Sequence, residues 1–454
     1  MAFKKDFTWG VATASYQIEG AAYDDGKGLS IWDMYCKQPN RVYGGHTGDV
    51  ACDHYYRYEE DIKIMKQMGI KAYRFSISWA RVFPEGVGEI NEKGLAFYSD
   101  LVDKLIESGI EPHVTLFHWD LPYELHKKGG WMNSESPVWF EKYAGFISKR
   151  LSDRVKYFIT FNEPQCFIGL AHIDGVHAPG LKQSISDTLQ MAHHVLLAHG
   201  RAVKAIRENA KGEVKVGYAP TASMHYPATE SPEDIEAARR AVMEMPKNLE
   251  GNWAWNITWW SDPVFFGKYP DDGVELFGDF MPHIQEGDMA IISQPLDFLG
   301  QNIYNGMEVK AGENGEVEFI KRYAGFPKTG LSWPITPKAL YWGPKFLYER
   351  YKKTIYITEN GLSCPDVVSL DGKVHDPNRI DFLHRYLAEL KRAASDGVDI
   401  GGYFQWSLMD NFEWHSGYDE RFGLVFVDFE TQERIVKDSG HWYKGVIKSN
   451  GDDL

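Results

Sequence analysis

The fold class this sequence predicts is α/β: a single (β/α)8 barrel of parallel strands spanning residues 1–454 as one domain. Three observations predict it. Short apolar strand candidates alternate with amphipathic helix candidates, and eight such strands can be counted. Two of the strands end in a glutamate followed at once by chain-breaking residues, in Tyr157-Phe158-Ile159-Thr160-Phe161-Asn162-Glu163-Pro164 and Thr354-Ile355-Tyr356-Ile357-Thr358-Glu359-Asn360-Gly361. A carboxylate at the end of a buried strand costs free energy unless something pairs or uses it. One such glutamate is equally well explained as a salt-bridged strand end. Two suggest paired carboxylates in one pocket.

The strand candidates are residues 8–13, 72–76, 113–118, 157–163, 214–219, 298–304, 355–359 and 400–406. Between them one form recurs: an amphipathic helix, a glycine, then the next strand. Residues 58–68 carry Ile62, Met65 and Met68 on one face and are followed by Gly69. Residues 95–108 place Tyr98, Leu101, Val102, Leu105 and Ile106 at helical spacing before Gly109, and residues 379–394 place Ile380, Leu383, Leu387 and Leu390 before Gly397. Glycine just past a helix is the expected left-handed cap. In a barrel the chemistry sits at the C-terminal strand ends. The polar residues there are Arg74, His118, Asn162 with Glu163, Asn302 with Tyr304, and Glu359. A doubly wound sheet competes, but it calls for a glycine-rich phosphate turn after the first strand, and Trp9-Gly10-Val11-Ala12-Thr13-Ala14 is not one. Residues 223–273 form a long insert with an acidic helix over 232–245, and residues 307–319 read as a hairpin turning at Asn314-Gly315.

Composition excludes several function classes. A formal net charge of −15 argues against nucleic-acid or anionic-membrane partners, which need a basic face. No apolar run is long enough to span a bilayer. Two lysines precede no apolar segment at the start of the chain, and Cys36, Cys52, Cys166 and Cys364 form no CxxC pair. Free thiols in a reducing compartment, hence a cytoplasmic location, are expected. Aromatic residues are in excess at 14%, and Trp119, Trp131 and Trp414 sit beside polar turn residues, as in a wet, aromatic-lined pocket.

At this point the chain resembles glycoside hydrolase family 1, the β-glucosidase family, from Phe7 to about Tyr443. The resemblance is carried by Asp6-Phe7-Thr8-Trp9-Gly10-Val11-Ala12-Thr13-Ala14-Ser15-Tyr16-Gln17-Ile18-Glu19-Gly20, Arg74-Phe75-Ser76-Ile77-Ser78-Trp79 and His118-Trp119-Asp120-Leu121-Pro122. Thr160-Phe161-Asn162-Glu163-Pro164, Ile357-Thr358-Glu359-Asn360-Gly361 and Trp406-Ser407-Leu408-Met409-Asp410-Asn411-Phe412-Glu413-Trp414 follow in order. The resemblance implies retaining hydrolysis of β-glycosides by two carboxyl groups. Glu359 is then the nucleophile and Glu163 the acid/base, with Arg74 and Tyr304 supporting the charge of Glu359 and Asn302 beside them. Gln17, His118, Asn162, Glu413 and Trp414 match sugar-hydroxyl positions, Trp406 the platform beneath the sugar and Trp333 the leaving-group platform. For His118 and Asn302 the alternative is a side chain satisfying buried backbone; for Trp333 it is packing.

Departures from the family refine the reading. Glu163 stands where plant thioglucosidases carry glutamine, which disfavours that activity. Glu413 is kept where 6-phosphoglycoside relatives usually replace it, so unphosphorylated sugars are expected. Ile303 replaces the first of two adjacent tyrosines, and Tyr304 keeps the second. β-Glucosides such as cello-oligosaccharides and aryl glucosides are the expected substrates. Rivals are a β-galactosidase or β-fucosidase of the same mechanism, an inverting hydrolase and a non-catalytic sugar-binding relative. His193, His194 and His199 on a helix over 186–209 are spaced for packing rather than for one ion, Cys166 has no His–Asp partners that would make it a nucleophile, and no metal or cofactor is implied.

Overall fold

β-Branched and aromatic residues build the sheet, as their strand propensity requires. The computed structural model describes residues 3–249 and 253–454. The barrel strands are β1 (Thr8–Ala12), β2 (Ala72–Ser76), β3 (Glu111–Phe117), β4 (Tyr157–Asn162), β5 (Lys215–Ala219), β6 (Phe298–Asn302), β7 (Ile355–Asn360) and β8 (Ile400–Trp406). Each pairs in parallel with its neighbours and β8 closes on β1, with Thr8 opposite Gly402 and Ala12 opposite Trp406. All eight expected strands are present, with ends shifted by one or two residues. Thr13, His118, Glu163 and Tyr304 lie just beyond their strands rather than within them, and β7 runs one residue further, to Asn360. Glu163 leaves the sheet because its backbone turns to φ 46°, which no pleated strand allows.

The expected helices form with fuller first turns. His54–Met68 ends at Gly69 with φ 76°, whose N–H reaches the Lys66 and Met65 carbonyls. Glu92–Glu107 buries Tyr98, Leu101, Val102 and Leu105 but leaves Ile106 exposed, and Pro377–Ser395 buries Leu383, Leu387 and Leu390 with Ile380 half-buried at the edge. In the insert Ser231 caps Pro232–Met243 by accepting from Asp234 N; that helix stops two residues early, since Glu244 is extended. The hairpin pairs Glu308–Ala311 with Val317–Phe319, and Gly315 takes φ 76° in its turn.

Aromatic rings plug the barrel interior below the site. His113 stacks on Tyr157 with centroids 4.1 Å apart, Phe404 meets His113 at 4.9 Å and Phe298 meets Tyr356 at 5.1 Å. Above this plug the strands bulge. Register shifts occur between Ile159 and Asn162 on β4 and between Ile357 and Glu359 on β7, and bulges re-aim side chains. Glu163, just past β4, and Glu359, inside β7, thus each stand at a distortion of their strand.

Candidate active site

Arg74, 1% exposed on β2, is the cation around which the site is built. Its Nε donates to Thr115 Oγ1 at 3.1 Å, Nη1 to the Thr358 carbonyl at 2.9 Å and to Glu359 Oε1 at 2.8 Å, and Nη2 to Asn162 Oδ1 at 2.5 Å. The Tyr304 hydroxyl donates to Glu359 Oε2 at 2.7 Å. Glu359 therefore has one cation and one hydroxyl for its two oxygens. Burial raises its carboxyl above the ordinary value, and Arg74 and Tyr304 oppose that rise.

Glu163 has no cation bonded to it. Asn302 Nδ2 donates to Oε1 at 2.7 Å and the Cys166 thiol to Oε2 at 3.0 Å. Burial and then the charge of Glu359 push Glu163 up to about 7. The two carboxyl groups are thus driven apart by their surroundings, the pattern that separates an acid from an anion.

The amides are oriented by their own bonds. Asn162 Oδ1 accepts from Arg74 and from Asn302 Nδ2 (3.0 Å), so its Nδ2 faces His118 Nε2, 3.1 Å away. His118 Nε2 is then the acceptor and Nδ1 carries the hydrogen. That Nδ1 is buried without a partner, as is Gln17 Oε1, while Gln17 Nε2 donates to the Phe412 carbonyl at 2.8 Å, to Asn411 Oδ1 at 3.1 Å and to Glu413 Oε2 at 3.5 Å. One unspent donor and one unspent acceptor are what hydroxyl recognition requires, because each buried polar atom left unpaired is costly. Burial followed by Arg74 holds His118 well below its ordinary value, so the ring is neutral. Glu413 is pushed up to about 8, by burial first and Glu359 next, and is mostly the neutral acid at pH 7.

These groups meet at a cavity of about 590 Å³ whose wall includes His118, Glu163, Tyr304, Trp333, Glu359, Trp406, Glu413 and Trp414. Gln17, Arg74, Asn162 and Asn302 are fully buried around it. Trp406 lies parallel to His118 at 5.6 Å, and Trp333 meets Tyr304 edge-on at 5.2 Å. Three site residues take left-handed backbone: Trp119 at φ 76°, Glu163 at 46° and Trp414 at 50°. Strain of this kind persists only where the surroundings over-determine it, and it gathers at functional sites.

All twelve residues singled out from the sequence fall at or against this cavity. Trp131 does not join them; Phe117, Phe161 and Phe167 enclose its ring. Its polar neighbours reflect a turn over the core, and its carbonyl accepts from His194 Nδ1 at 2.8 Å. Missed were Trp255, Thr221, His177 and Leu170 on the wall. Trp255 comes from the long insert, where no local pattern marks which of several tryptophans turns inward. The three helix histidines each find a packing partner, His193 on Tyr269 and Asp288, His194 on the Trp131 carbonyl and His199 on Thr160. Asn256 caps the helix Ile257–Phe266 by accepting from Trp259 N.

The profile of glycosyl hydrolase family 1 matches residues 1–452. The chain belongs to glycosyl hydrolase family 1. It is 48% identical to beta-glucosidase A of Acetivibrio thermocellus and 47% identical to the 1,4-beta-D-glucan glucohydrolase of Thermotoga neapolitana, in each case over 99% of both chains. Among solved structures, the family 1 beta-glucosidase of Thermotoga maritima in complex with isofagomine lactam superimposes with a TM-score of 0.89 at 46% identity, over 99% of both chains. The same enzyme in complex with glucoimidazole gives 0.90. A family 1 chain is a glycoside hydrolase, and the (β/α)8 barrel described above is that of its solved relatives.

Proposed function

We propose that this family 1 hydrolase is a retaining exo-β-glucosidase with Glu359 as nucleophile and Glu163 as acid/base. One observation carries the assignment: Glu359 is bonded to a guanidinium and a hydroxyl, whereas Glu163 has only an amide and a thiol and is pushed up to about 7. In the first half-reaction Glu359 attacks the anomeric carbon as Glu163 gives its proton to the leaving oxygen. Esterification then removes the charge of Glu359, the Glu163 carboxyl falls, and as carboxylate it takes the proton of the incoming water. Arg74 and Tyr304 hold the nucleophile; Asn302 holds Glu163. His118, Gln17, Asn162, Glu413 and Trp414 face the hydroxyls, Trp406 lies beneath the ring, and Trp333 stands on the leaving-group side.

The substrates proposed are unphosphorylated β-glucosides, including cello-oligosaccharides, which makes cellulose breakdown the plausible context. The names of the two curated relatives support glucose, and the cavity wall supports the missing phosphate. The wall carries no lysine or arginine among its described residues, and burial keeps His177 and His415 below their ordinary values. That is a firmer reason than charge repulsion by Glu413, which is mostly neutral at pH 7. We also read the chain as one catalytic domain in a reducing, cytoplasmic setting, on the ground of its four unpaired cysteines.

The test compares kcat/KM on β-glucoside, β-galactoside and β-fucoside chromogenic substrates, with Glu359→Gln alongside. Glucoside hydrolysis that the variant loses supports the reading. A parent inert on all three, or a variant that stays active, overturns it.

A further inference from the structure

Cys166 remains unused by the mechanism above, yet its thiol is bonded to the acid/base and lies on the cavity wall. It sits at the start of the π-helical segment Gln165–Ile173, and its backbone N–H bonds the Glu163 carbonyl at 2.9 Å. Such segments are rare and favour functional sites. Pro164 and Gln165 lie between them, and this short hydrogen-bonded turn places the sulfur within reach of Oε2.

The two oxygens of Glu163 are not equivalent. Thr358 Oγ1 donates to Asn302 Oδ1 at 2.6 Å, which fixes that amide with its nitrogen toward Glu163. Oε1 is therefore always an acceptor, and the proton Glu163 delivers resides on Oε2. That oxygen has two lone-pair directions. If the thiol donates along the one facing the wall, the O–H can only point into the cavity. Burial, followed by the charge of Glu163, keeps the thiol well above its ordinary value, so the sulfur stays an S–H donor. A thiol is also a weak donor. It accommodates the carboxylate of the second half-reaction without holding it so firmly that the acid form is lost.

We propose that Cys166 is a positioning residue of the acid/base, holding the wall-side lone pair of Glu163 Oε2 so that the transferable proton faces the substrate. This rests on Glu163 being the acid/base. The other groups acting on Glu163 are Glu359, Arg74, Asn302, Tyr304 and Glu413, and all of them are untouched in the test.

The experiment follows kcat/KM against pH for the parent, Cys166→Ser and Cys166→Ala on two aryl β-glucosides. One has a poor leaving group that needs the proton; the other is a dinitrophenyl glucoside that does not. The stronger hydroxyl donor of Cys166→Ser should move the alkaline limb down by about 0.3–1 pH unit, and Cys166→Ala should move it up by a similar amount. Cys166→Ala should lose about 3–30-fold on the poor leaving group and stay within about 2-fold on the activated one. Limbs that coincide in all three proteins, or equal losses on both substrates, overturn the proposal and leave the sulfur a packing atom. Should Cys166→Ala fold poorly by circular dichroism, Cys166→Val removes the donor at similar volume and is read the same way. Glu163→Gln is run beside them: if it retains the parent's rate on the poor leaving group, the acid/base assignment itself has failed, whatever the thiol variants do.

Discussion

Removing the charge of Glu359 should lower the Glu163 carboxyl by an amount that follows from the spacing of a retaining pair. A retaining pair stands about 5–5.5 Å apart. At an effective dielectric of about 20, two unit charges at that distance repel by about 3 kcal/mol, or about 2 pH units on the titration of either. Burial of Glu163 is unchanged in Glu359→Gln, so that contribution stays. Arg74 remains beside the site with no anion bonded to it and acts in the same direction as the lost repulsion. Glu163 is pushed up to about 7 in the parent. It should therefore titrate about 2 pH units lower in Glu359→Gln. The assay is carboxyl carbon NMR of glutamate-labelled protein, with the Glu163 signal identified by its absence from Glu163→Gln. Parent enzyme stalled as its glycosyl-enzyme with a 2-fluoro-β-glucoside should give the same lowered value, since esterification neutralises the same group. If Glu163 titrates within about 0.5 pH unit of the parent in both states, burial alone sets its protonation. The handover from acid to base would then have no electrostatic cause, and the reasoning fails.

Asn302→Ala removes the donor at Glu163 Oε1 and should cost about 10–100-fold in kcat/KM while moving the alkaline limb upward; a limb that moves down would contradict the bond at 2.7 Å. Glu163→Gln should stabilise the fold at alkaline pH. The group titrates near 4.5 unfolded and about 7 folded, so the stability it confers is complete below 4.5 and is lost as pH rises through 7. That difference, 7 − 4.5 = 2.5, amounts to about 3 kcal/mol. Thermal melts should therefore show the variant a few degrees (~3 °C) above the parent at pH 8 and level with it near pH 4. Lys437→Met leaves Asp366 and Asp410 without the ammonium they share and should cost about 3–5 kcal/mol in denaturant melts. An unchanged midpoint would mean that Arg379 and Arg421 hold those carboxylates unaided.

The parts of this protein legible in its sequence are those where one local rule decides. Strand cores follow from β-branched runs, and helix ends from glycine, as at Gly69, Gly109 and Gly397, each with positive φ. The proposed catalytic pair was legible because a glutamate beside Pro164 or Asn360-Gly361 has to sit at or next to the end of a buried strand. What was not legible depends on contacts between distant segments. Trp255 reaches the cavity from an insert whose path is set by tertiary packing, and Trp131, placed at a turn as Trp414 is, points into the core while Trp414 lines the cavity. Protonation is of the same kind. Glu163, Glu359 and Glu413 are one residue type in three motifs, and only their distances from Arg74, from each other and from water separate a carboxyl near 7, one bonded to Arg74 and Tyr304, and one near 8. The left-handed backbone at Glu163 belongs here too. A turn of that hand is unfavourable for glutamate and is held by Pro164 and the π-helical segment behind it. The same turn sets Cys166 against Oε2. A thiol that looked inert in the sequence, for want of a histidine, gains its place from the conformation of the residue it serves.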